Sequence, residues 1–272
     1  MAATAAEKRT QFRQLHETGC FVIPNPWDAG SAKLLQHLGF KALASTSAGF
    51  AWSIGTPDNG VTSDDVVAHL KALCEASDLP LNADFEAGFS DTPDGVAKNC
   101  AAAVRAGVAG LSIEDSTGKR EAPLYPREVA IERMRAARKG IDSEDKTTIL
   151  VGRSEGFIVG RPDLKETIER LVAYAEAGAD CLYAPGIRTK EDIAAVVKAV
   201  APKPVNLLLG APGYSVAEMA ELGVRRISVG GSLARIAYSG FLTAAKEMAE
   251  HGTFGGLAGG TSGGEFNKVM RA

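Results

Sequence analysis

Acidic side chains end two neighbouring apolar segments of this sequence, and an arginine ends a third. Asp84 and Glu86 lie in LNADFE, Glu114 lies in GLSIED, and Arg153 ends TILVGR. Asp84 and Glu86 are two residues apart, so in a strand both point to one face. Clustered carboxylates in a low-dielectric space need a proton or a cation between them. Without His or Cys partners they favour an oxygen-preferring ion, Mg²⁺ above all; the alternative is salt bridges to Arg153 or Lys119.

Arg153 has the chemistry of a carboxylate receptor. A guanidinium at a strand end can bind a substrate carboxylate through two parallel hydrogen bonds. The alternative is a structural ion pair with Glu155 or Glu114. Further polar side chains occur near the ends of other predicted strands. These are Ser45 and Ser47 in the second strand, Tyr183 in the sixth and Asn206 in the seventh.

Two loops follow the predicted strands that carry these side chains. The segment 116–126, STGKREAPLYP, contains Glu121 and could close as a lid, or it is an ordinary solvated loop. The segment 48–61 is predicted to be a long loop that offers Asp58 and backbone amides able to hold an anion. A rival site is GGS at 230–232, which would open a helix and bind phosphate, or simply form a tight turn with a Ser cap.

Short apolar segments rich in Val, Ile and Leu alternate with segments of helical periodicity. Eight strands are predicted at 21–25, 42–47, 81–86, 110–115, 148–155, 181–186, 204–209 and 226–230. Helices are predicted at 28–38, 63–76, 93–106, 127–139, 163–177, 190–200, 216–222 and 232–250, with one more within 6–17. This alternation predicts a (β/α)8 TIM barrel; a doubly wound open sheet is the alternative.

A short pattern marks four of the expected helix-to-strand connections. Gly39, Gly107, Gly178 and Gly223 each follow a helical segment and precede an apolar strand. Glycine is favoured there because the residue that closes a helix commonly adopts a left-handed conformation. In a barrel, the opposite ends of the strands carry the catalytic groups, so the polar strand ends described above are expected to meet at one mouth.

Composition limits the possible functions of the chain. It has 272 residues and a net charge of −3, without the basic excess of a nucleic-acid binder. It contains no apolar run long enough to span a membrane and no secretory signal, and its four cysteines have no paired spacing. We expect a cytoplasmic protein with one barrel domain over 1–250. The Gly-rich segment 251–272 is expected to be a mobile tail. Alternatively, it ends in a helix at 265–271 that packs on the same or a neighbouring subunit.

Together, five stretches resemble the isocitrate lyase/phosphoenolpyruvate mutase superfamily. They are PNPWDA (24–29), NADFEAGF (82–89), AGVAGLSIED (106–115), VGRSEGF (151–157) and AGAD (177–180). Their order and spacing match over roughly residues 10–250. The resemblance implies a (β/α)8 barrel whose last helix is exchanged between subunits of a homodimer or homotetramer. It implies Mg²⁺ held by Asp84, with Glu86 and Glu114 contributing directly or through water.

The resemblance also implies an α-oxo carboxylate substrate, or one that yields an enolate, and a lyase reaction. Arg153 and the segment 45–49, with Ser45, Ser47, Ala48 and Gly49, would bind this substrate. Asn206 is a further candidate for substrate binding. The superfamily's lyases carry Lys-Lys/Arg-Cys-Gly-His in the lid, with the Cys as catalytic acid. Here Lys119-Arg120 is followed by Glu121-Ala122-Pro123. The proton donor is therefore open between Glu121, Tyr183 and a metal-bound water.

The leading hypothesis is a Mg²⁺-dependent carbon–carbon lyase that acts on a small α-oxo or α-hydroxy di- or tricarboxylate. The departure in the lid favours a reaction that needs little help from an acid at the start. A decarboxylase acting on oxaloacetate meets that condition because CO₂ leaves from the substrate itself. Isocitrate or methylisocitrate cleavage is a second possibility. The alternatives are a phosphonopyruvate-type P–C bond mutase or hydrolase, in which Asp58 acts near the phosphonyl group, and a barrel that binds an oxo acid without turnover. No nucleic-acid or membrane partner is expected.

Overall fold

The computed structural model describes residues 2–271. Its eight parallel strands are β1 (Phe21–Ile23), β2 (Leu43–Ala44), β3 (Leu81–Asp84), β4 (Gly110–Glu114), β5 (Ile149–Arg153), β6 (Cys181–Tyr183), β7 (Val205–Leu208) and β8 (Arg226–Ser228). The first six helices are α1 (Ala5–Leu15), α2 (Ala29–His37), α3 (Ser47–Ser53), α4 (Ser63–Ala76), α5 (Pro93–Arg105) and α6 (Arg127–Asp142). The others are α7 (Leu164–Glu176), α8 (Lys190–Val200), α9 (Val216–Glu221), α10 (Ser232–His251) and α11 (Gly263–Arg271).

The strands form the predicted (β/α)8 TIM barrel. Each strand pairs in parallel with the next one from β2 to β8, and β8 pairs with β1. The remaining seam, between β1 and β2, is bridged where the Ala44 N–H donates to the Pro24 carbonyl at 3.0 Å. An open doubly wound sheet would leave two free edges, so this bridge supports the barrel. The carboxyl ends of all eight strands therefore face one mouth.

The elements agree closely with the predicted ranges, and the four connecting glycines have the predicted role. Gly39, Gly107, Gly178 and Gly223 have φ values of 84°, 105°, 107° and 88°, a left-handed conformation that glycine adopts at low cost. Each of the eight strands ends earlier than predicted. At β3 the reason is visible, since Glu86 has a φ of 46° and has left the extended conformation.

Two predictions about the starts of helices were wrong. The segment 48–61 does not form one long loop, because α3 occupies its first part. The hydroxyl of Thr46 caps this helix by accepting from the Gly49 N–H at 3.3 Å. Ser232 is not a cap either: the N-cap of α10 is Gly231, and Ser232 instead donates to the Gly210 carbonyl.

The amino-terminal helix α1 packs against the core of the barrel. Phe12 is fully buried, within a cluster that includes Ile23, Val151 and Tyr183. Arg9 donates to the carbonyls of Val104 and Val108 and thereby ties this helix to the region around α5 and β4. Burial of a large apolar side chain such as Phe12 contributes about 1.5–3 kcal/mol to folding.

The carboxyl-terminal segment contains the short helix that the sequence analysis gave as an alternative to a mobile tail. This helix, α11, lies against α2 of the same chain, where Lys33 Nζ donates to the Met270 carbonyl at 2.7 Å. The preceding helix α10 buries only Ala234 among its residues. Within residues 2–271 the structure contains no helix with the length and apolarity needed to cross a membrane.

Candidate active site

A cavity of about 180 Å³ opens at the carboxyl ends of the strands. Polar side chains dominate its lining, which fits a small charged molecule better than an apolar one. The predicted site residues on its wall are Ser45, Ser47, Ala48, Asp58, Asp84, Arg153 and Asn206. Gly49 lies nearby but does not line the cavity. A Cβ atom at Gly49 would lie 2.7 Å from Thr46 Cγ2, so glycine is required there for packing.

Arg153 is the centre of an ion-pair cluster at the end of β5. Its Nη1 lies 3.0 Å from Asp84 Oδ1 and 3.1 Å from Glu114 Oε2, and its Nε donates to Glu155 Oε1 at 2.5 Å. Nη2 has no hydrogen-bond partner among the residues that the structure describes. The structural ion pair that the sequence allowed is therefore present. Because the ion pairs use only Nε and Nη1, the Nη2 group of Arg153 can still donate to a ligand.

The start of α3 holds Asp84 in place. The backbone N–H and the hydroxyl of Ser47 donate to Asp84 Oδ2 at 3.0 and 2.9 Å. Ser45 Oγ in turn accepts from the Asp84 N–H at 2.8 Å. Both serines, predicted to bind substrate, thus also orient the carboxylate predicted to bind the metal. Oδ1 points to Arg153 and Oδ2 to Ser47, so the carboxylate has one defined orientation.

The carboxyl groups around Asp84 outnumber the single positive charge of Arg153. Burial, reinforced by the carboxylates of Asp84 and Asp58, raises the pKa of Glu86 to about 7. Burial also raises the pKa of Glu114 well above its usual value, against the opposing effect of Arg153. Partial desolvation and the Asp84 carboxylate raise the pKa of Asp58, whose other side faces solvent. Such shifts mark a site where a cation would be stabilised.

This donor set fits a hard divalent cation bound largely through water. Glu86 Oε1 is buried without a hydrogen-bond partner in the described part of the chain, which is costly unless a ligand completes it. Within residues 2–271 no three His, Cys, Asp or Glu side chains converge closely enough to bind a metal ion together. Mg²⁺ usually keeps several waters and takes only one or two carboxylates directly. Asp84 would be the direct ligand, and Glu86 and Glu114 the outer ones.

The backbone around Glu86 explains how it reaches this cluster after leaving the strand. Its positive φ is unusual for a residue other than glycine. The conformation is supported where the Glu86 carbonyl accepts from the Glu114 N–H at 3.0 Å. Residues held in such conformations concentrate at functional sites. The prediction that Asp84 and Glu86 share a strand face was wrong, but the turn still brings Glu86 beside Asp84.

The buried carboxylate of Asp115 holds the chain segment that follows Arg153. Asp115 Oδ1 accepts from the Glu155 N–H at 2.7 Å, and its Oδ2 accepts from the Tyr174 hydroxyl at 2.6 Å. Asp115 Oδ2 also accepts from Ser154 Oγ at 3.2 Å. These contacts make Asp115 a structural support for Glu155, which in turn orients the guanidinium of Arg153.

The floor of the cavity contains a residue that the sequence analysis missed. Arg226 opens β8 and points into the barrel, where its Nε donates to Asn206 Oδ1 at 2.9 Å. The predicted substrate ligand Asn206 is thus engaged by an arginine on one side and by Ser228 on the other, to which its Nδ2 donates at 3.0 Å. Nothing in the sequence indicated that Arg226 is buried. It follows Arg225 at the start of a predicted strand, and two adjacent arginines are typical of an exposed segment.

Glu121 is not brought to this cavity. It is exposed and borders a separate cavity between the 116–126 loop and α7. The loop is folded on itself, with the Thr117 N–H donating to the Pro123 carbonyl and the Tyr125 N–H to the Asp115 carbonyl, both at 2.9 Å. A catalytic role for Glu121 would require the loop to move, and it stays a prediction.

The rival phosphate site at 230–232 is partly used by the protein itself. Asn25 Oδ1 accepts from the N–H groups of Val229 and Gly230 at 2.9 Å each. The Ser232 N–H donates to the Val229 carbonyl at 3.2 Å. Phosphate binding at a helix start depends on free amides, so these contacts weaken that alternative.

Comparison with known proteins identifies the family. The sequence profile of the family described as phosphoenolpyruvate phosphomutase matches residues 12–249. The chain therefore belongs to this family and to the isocitrate lyase/phosphoenolpyruvate mutase superfamily, as its sequence indicated. A crystal structure of a candidate lyase/mutase from Burkholderia cenocepacia J2315 is 47% identical in sequence. It superposes with a TM-score of 0.95 over 98% of each chain.

Several relatives with named activities are carbon–carbon lyases. The 2-methylisocitrate lyase of Escherichia coli (strain K12) is 33% identical over 59% of this chain and 55% of that enzyme. The oxaloacetate decarboxylase of Rhodopseudomonas palustris (strain BisB5) is 27% identical over 79% of this chain and 74% of that enzyme. These matches confirm the assignment to the lyases.

Proposed function

We propose that this protein is a Mg²⁺-dependent lyase that acts on a small α-oxo dicarboxylate such as oxaloacetate. It would break the carbon–carbon bond one carbon removed from the oxo carbon, so that the bonding electrons pass into an enolate. The observation that carries the proposal is the contact between Arg153 and Asp84 on the wall of the polar cavity. This contact places Arg153, a side chain able to bind a carboxylate, beside Asp84, a side chain able to bind a cation. The named lyases among the relatives support carbon–carbon cleavage.

The side chains divide the work between binding and charge stabilisation. Arg153 Nη2 would donate to a substrate carboxylate while its other nitrogens stay paired with the acids. Mg²⁺, held by Asp84 directly and by Glu86 and Glu114 through water, would supply positive charge to the oxygen that becomes negative as the bond breaks. When CO₂ leaves oxaloacetate, its bonding electrons remain as the enolate of pyruvate, which a proton donor then converts to product.

The same proposal includes a homodimer or homotetramer in which α10 packs on a neighbouring subunit. Three large apolar side chains of this helix are exposed, Ile236 by 67%, Phe241 by 68% and Leu242 by 52%. Their spacing spreads them around the helix, which fits a helix that is enclosed by a partner, and exposed apolar side chains of this size mark protein contacts. Exchange of this helix between subunits would bury it.

Asp58 favours a second candidate function. It borders the same cavity, and its raised pKa reflects partial desolvation and its nearness to Asp84. In a phosphonopyruvate-type mutase or hydrolase, Asp58 would act near the phosphonyl group. The two candidates differ in the bond that breaks, so product analysis separates them.

The test is turnover of oxaloacetate, 2-methylisocitrate and phosphonopyruvate, each with Mg²⁺ and with a chelator, followed by ¹³C and ³¹P NMR. We expect Mg²⁺-dependent cleavage of a carboxylate substrate, with pyruvate and CO₂ from oxaloacetate. Free Mg²⁺ also promotes loss of CO₂ from oxaloacetate, so the Asp84→Asn protein at equal concentration is the blank. Turnover of phosphonopyruvate alone would establish the second candidate. Oxalate binding without any turnover would indicate a binding protein.

A further inference from the structure

The cavity floor contains a buried cation without a counter-ion. Arg226 is 2% exposed, and no carboxylate of residues 2–271 lies within salt-bridge distance of it. Its partners are neutral: Asn206 Oδ1 at 2.9 Å, Asn82 Oδ1 at 3.2 Å and His16 Nε2 at 3.4 Å. Burying an unpaired charge is expensive, so its hydrogen bonds are expected to serve a purpose beyond stability.

Arg226 fixes the direction of a hydrogen-bond chain. A guanidinium can only donate, so the oxygen of the Asn206 amide must face Arg226. The Asn206 Nδ2 is then directed to Ser228 Oγ, to which it donates at 3.0 Å. Because Ser228 Oγ accepts this bond, its own hydrogen is free to be donated elsewhere. Ser228 and Tyr183 line the same cavity, and the Ser228 hydroxyl acts to lower the pKa of the Tyr183 phenol.

Tyr183 is placed to use this donor. It ends β6, pairs in register with Asn206 of β7, and borders the cavity that contains Arg153 and Asp84. The Arg153 guanidinium lies 5.3 Å from the centre of its ring, which restricts the ring's position. Burial raises the pKa of Tyr183 to about 12, so the phenol is protonated at neutral pH.

We propose that Tyr183 donates the proton that converts the product enolate to the oxo acid, and that Arg226 is a positioning residue acting through Asn206 and Ser228. The inference rests on the proposed lyase function. In this proposal the free Ser228 hydrogen is donated to the Tyr183 oxygen, which directs the phenolic hydrogen into the cavity that both residues line. The enolate electron pair forms the new C–H bond, the phenolic O–H bond breaks, and the phenolate left on Tyr183 regains its proton from water.

The test uses the reverse of this step, which is exchange of pyruvate methyl protons in D₂O. Wild-type protein with Mg²⁺ should catalyse the exchange. Tyr183→Phe should lower it by ~10²–10⁴-fold, the usual worth of a general acid–base group, while calorimetry shows unchanged affinity for oxalate. Tyr238→Phe, a change of the same kind on α10, is the matched control and should leave the exchange unchanged.

Arg226 is tested by Arg226→Met and Arg226→Lys. Lysine can still donate to Asn206 Oδ1, so Arg226→Lys should recover exchange that Arg226→Met loses, with oxalate affinity equal in both. If Arg226→Met does not fold, Ser228→Ala removes the last donor without touching the buried charge, and it should lower kcat with KM unchanged.

The possible contrary results are distinct. Exchange retained in Tyr183→Phe would overturn the assignment of the proton donor. Equal loss of exchange and of oxalate affinity in both Arg226 variants would make Arg226 purely structural. Absence of both exchange and turnover in the wild-type protein would overturn the lyase function itself, and this inference with it.

Discussion

Arg153 at the end of β5 and Asp84 at the end of β3 are held in contact, with Nη1 3.0 Å from Oδ1, across the intervening strand β4. Their strands are not neighbours, so the contact exists only because the barrel curves their ends toward one mouth. Glu114, the last residue of β4, closes the group by lying 3.1 Å from the same nitrogen. The site is therefore a product of the barrel's closure.

Replacing the arginine should remove substrate binding. In Arg153→Gln the carboxylate receptor is lost, and loss of one partner from a buried charge pair costs ~2–5 kcal/mol, or at least ~30-fold in affinity. Calorimetric titration with oxalate in the presence of Mg²⁺ measures it. The control is Arg127→Gln, which breaks a more exposed ion pair with Glu169 and should change nothing. Equal oxalate affinity in Arg153→Gln and wild type would show that the receptor lies elsewhere.

Replacing the aspartate should remove the metal. Asp84→Asn keeps the shape and can retain the Ser47 contacts, but it loses the negative charge that a divalent cation requires. We expect its Mg²⁺ affinity to fall by more than the ~10- to 100-fold associated with outer-sphere partners. Asp94→Asn, on the exposed first turn of α5, is the control. Mn²⁺ binding followed by electron paramagnetic resonance gives the readout, and unaltered binding in Asp84→Asn would refute the ligand assignment.

Metal binding should depend on pH through Glu86. Its pKa of about 7 means that the side chain is neutral below that pH and negative above it. The cation requires the negative form, so Mg²⁺ affinity should fall as pH decreases through 7, approaching about tenfold per pH unit for one displaced proton. Titrations from pH 6 to pH 8 measure this. Glu86→Gln should flatten the profile; a profile as steep as that of wild type would assign the proton to another group.

Replacing Glu121 in the 116–126 loop should have little effect on turnover. Because this side chain is exposed and borders a different cavity, and because Tyr183 is the proposed donor, Glu121→Gln should leave kcat nearly unchanged. Steady-state turnover of the best substrate from the panel tests it. A large fall in kcat with KM preserved would instead show that the loop closes and that Glu121 acts as the catalytic acid.

The exposed apolar side chains of α10 predict that the protein is an oligomer. Phe241→Glu places a charge in the proposed subunit contact and should shift the protein to a smaller species, as measured by sedimentation velocity. Leu38→Glu is the matched control, because Leu38 is equally exposed, by 70%, at the end of α2. If Phe241→Glu and wild type sediment alike, α10 does not form the contact.

Sequence patterns predicted the barrel and several of the side chains that meet at its mouth, because each has a local signal. Glycines with the left-handed conformation end the helices, and Asp84, Glu114 and Arg153 stand at strand ends. These strand-end positions converge in any closed barrel, so their meeting did not depend on details of packing.

What the sequence did not reveal depends on contacts between distant segments. The start of α3 was missed because its seven residues are few for a periodic pattern, although Thr46 is a recognisable cap. The turn at Glu86 was missed because a positive φ in a residue other than glycine has no sequence signature. Arg226 was missed because its partners Asn82 and Asn206 are 144 and 20 residues away.

Thermal unfolding with oxalate, with and without Mg²⁺, tests the central claim most directly, because a ligand of the native state must raise its stability. At roughly 100 times its Kd such a ligand contributes about 2.7 kcal/mol. The account predicts that oxalate raises the melting temperature only when Mg²⁺ is present, and that Arg153→Gln abolishes the rise. A rise produced by phosphate esters alone and indifferent to Mg²⁺ would contradict the account and would place the site at the start of α10.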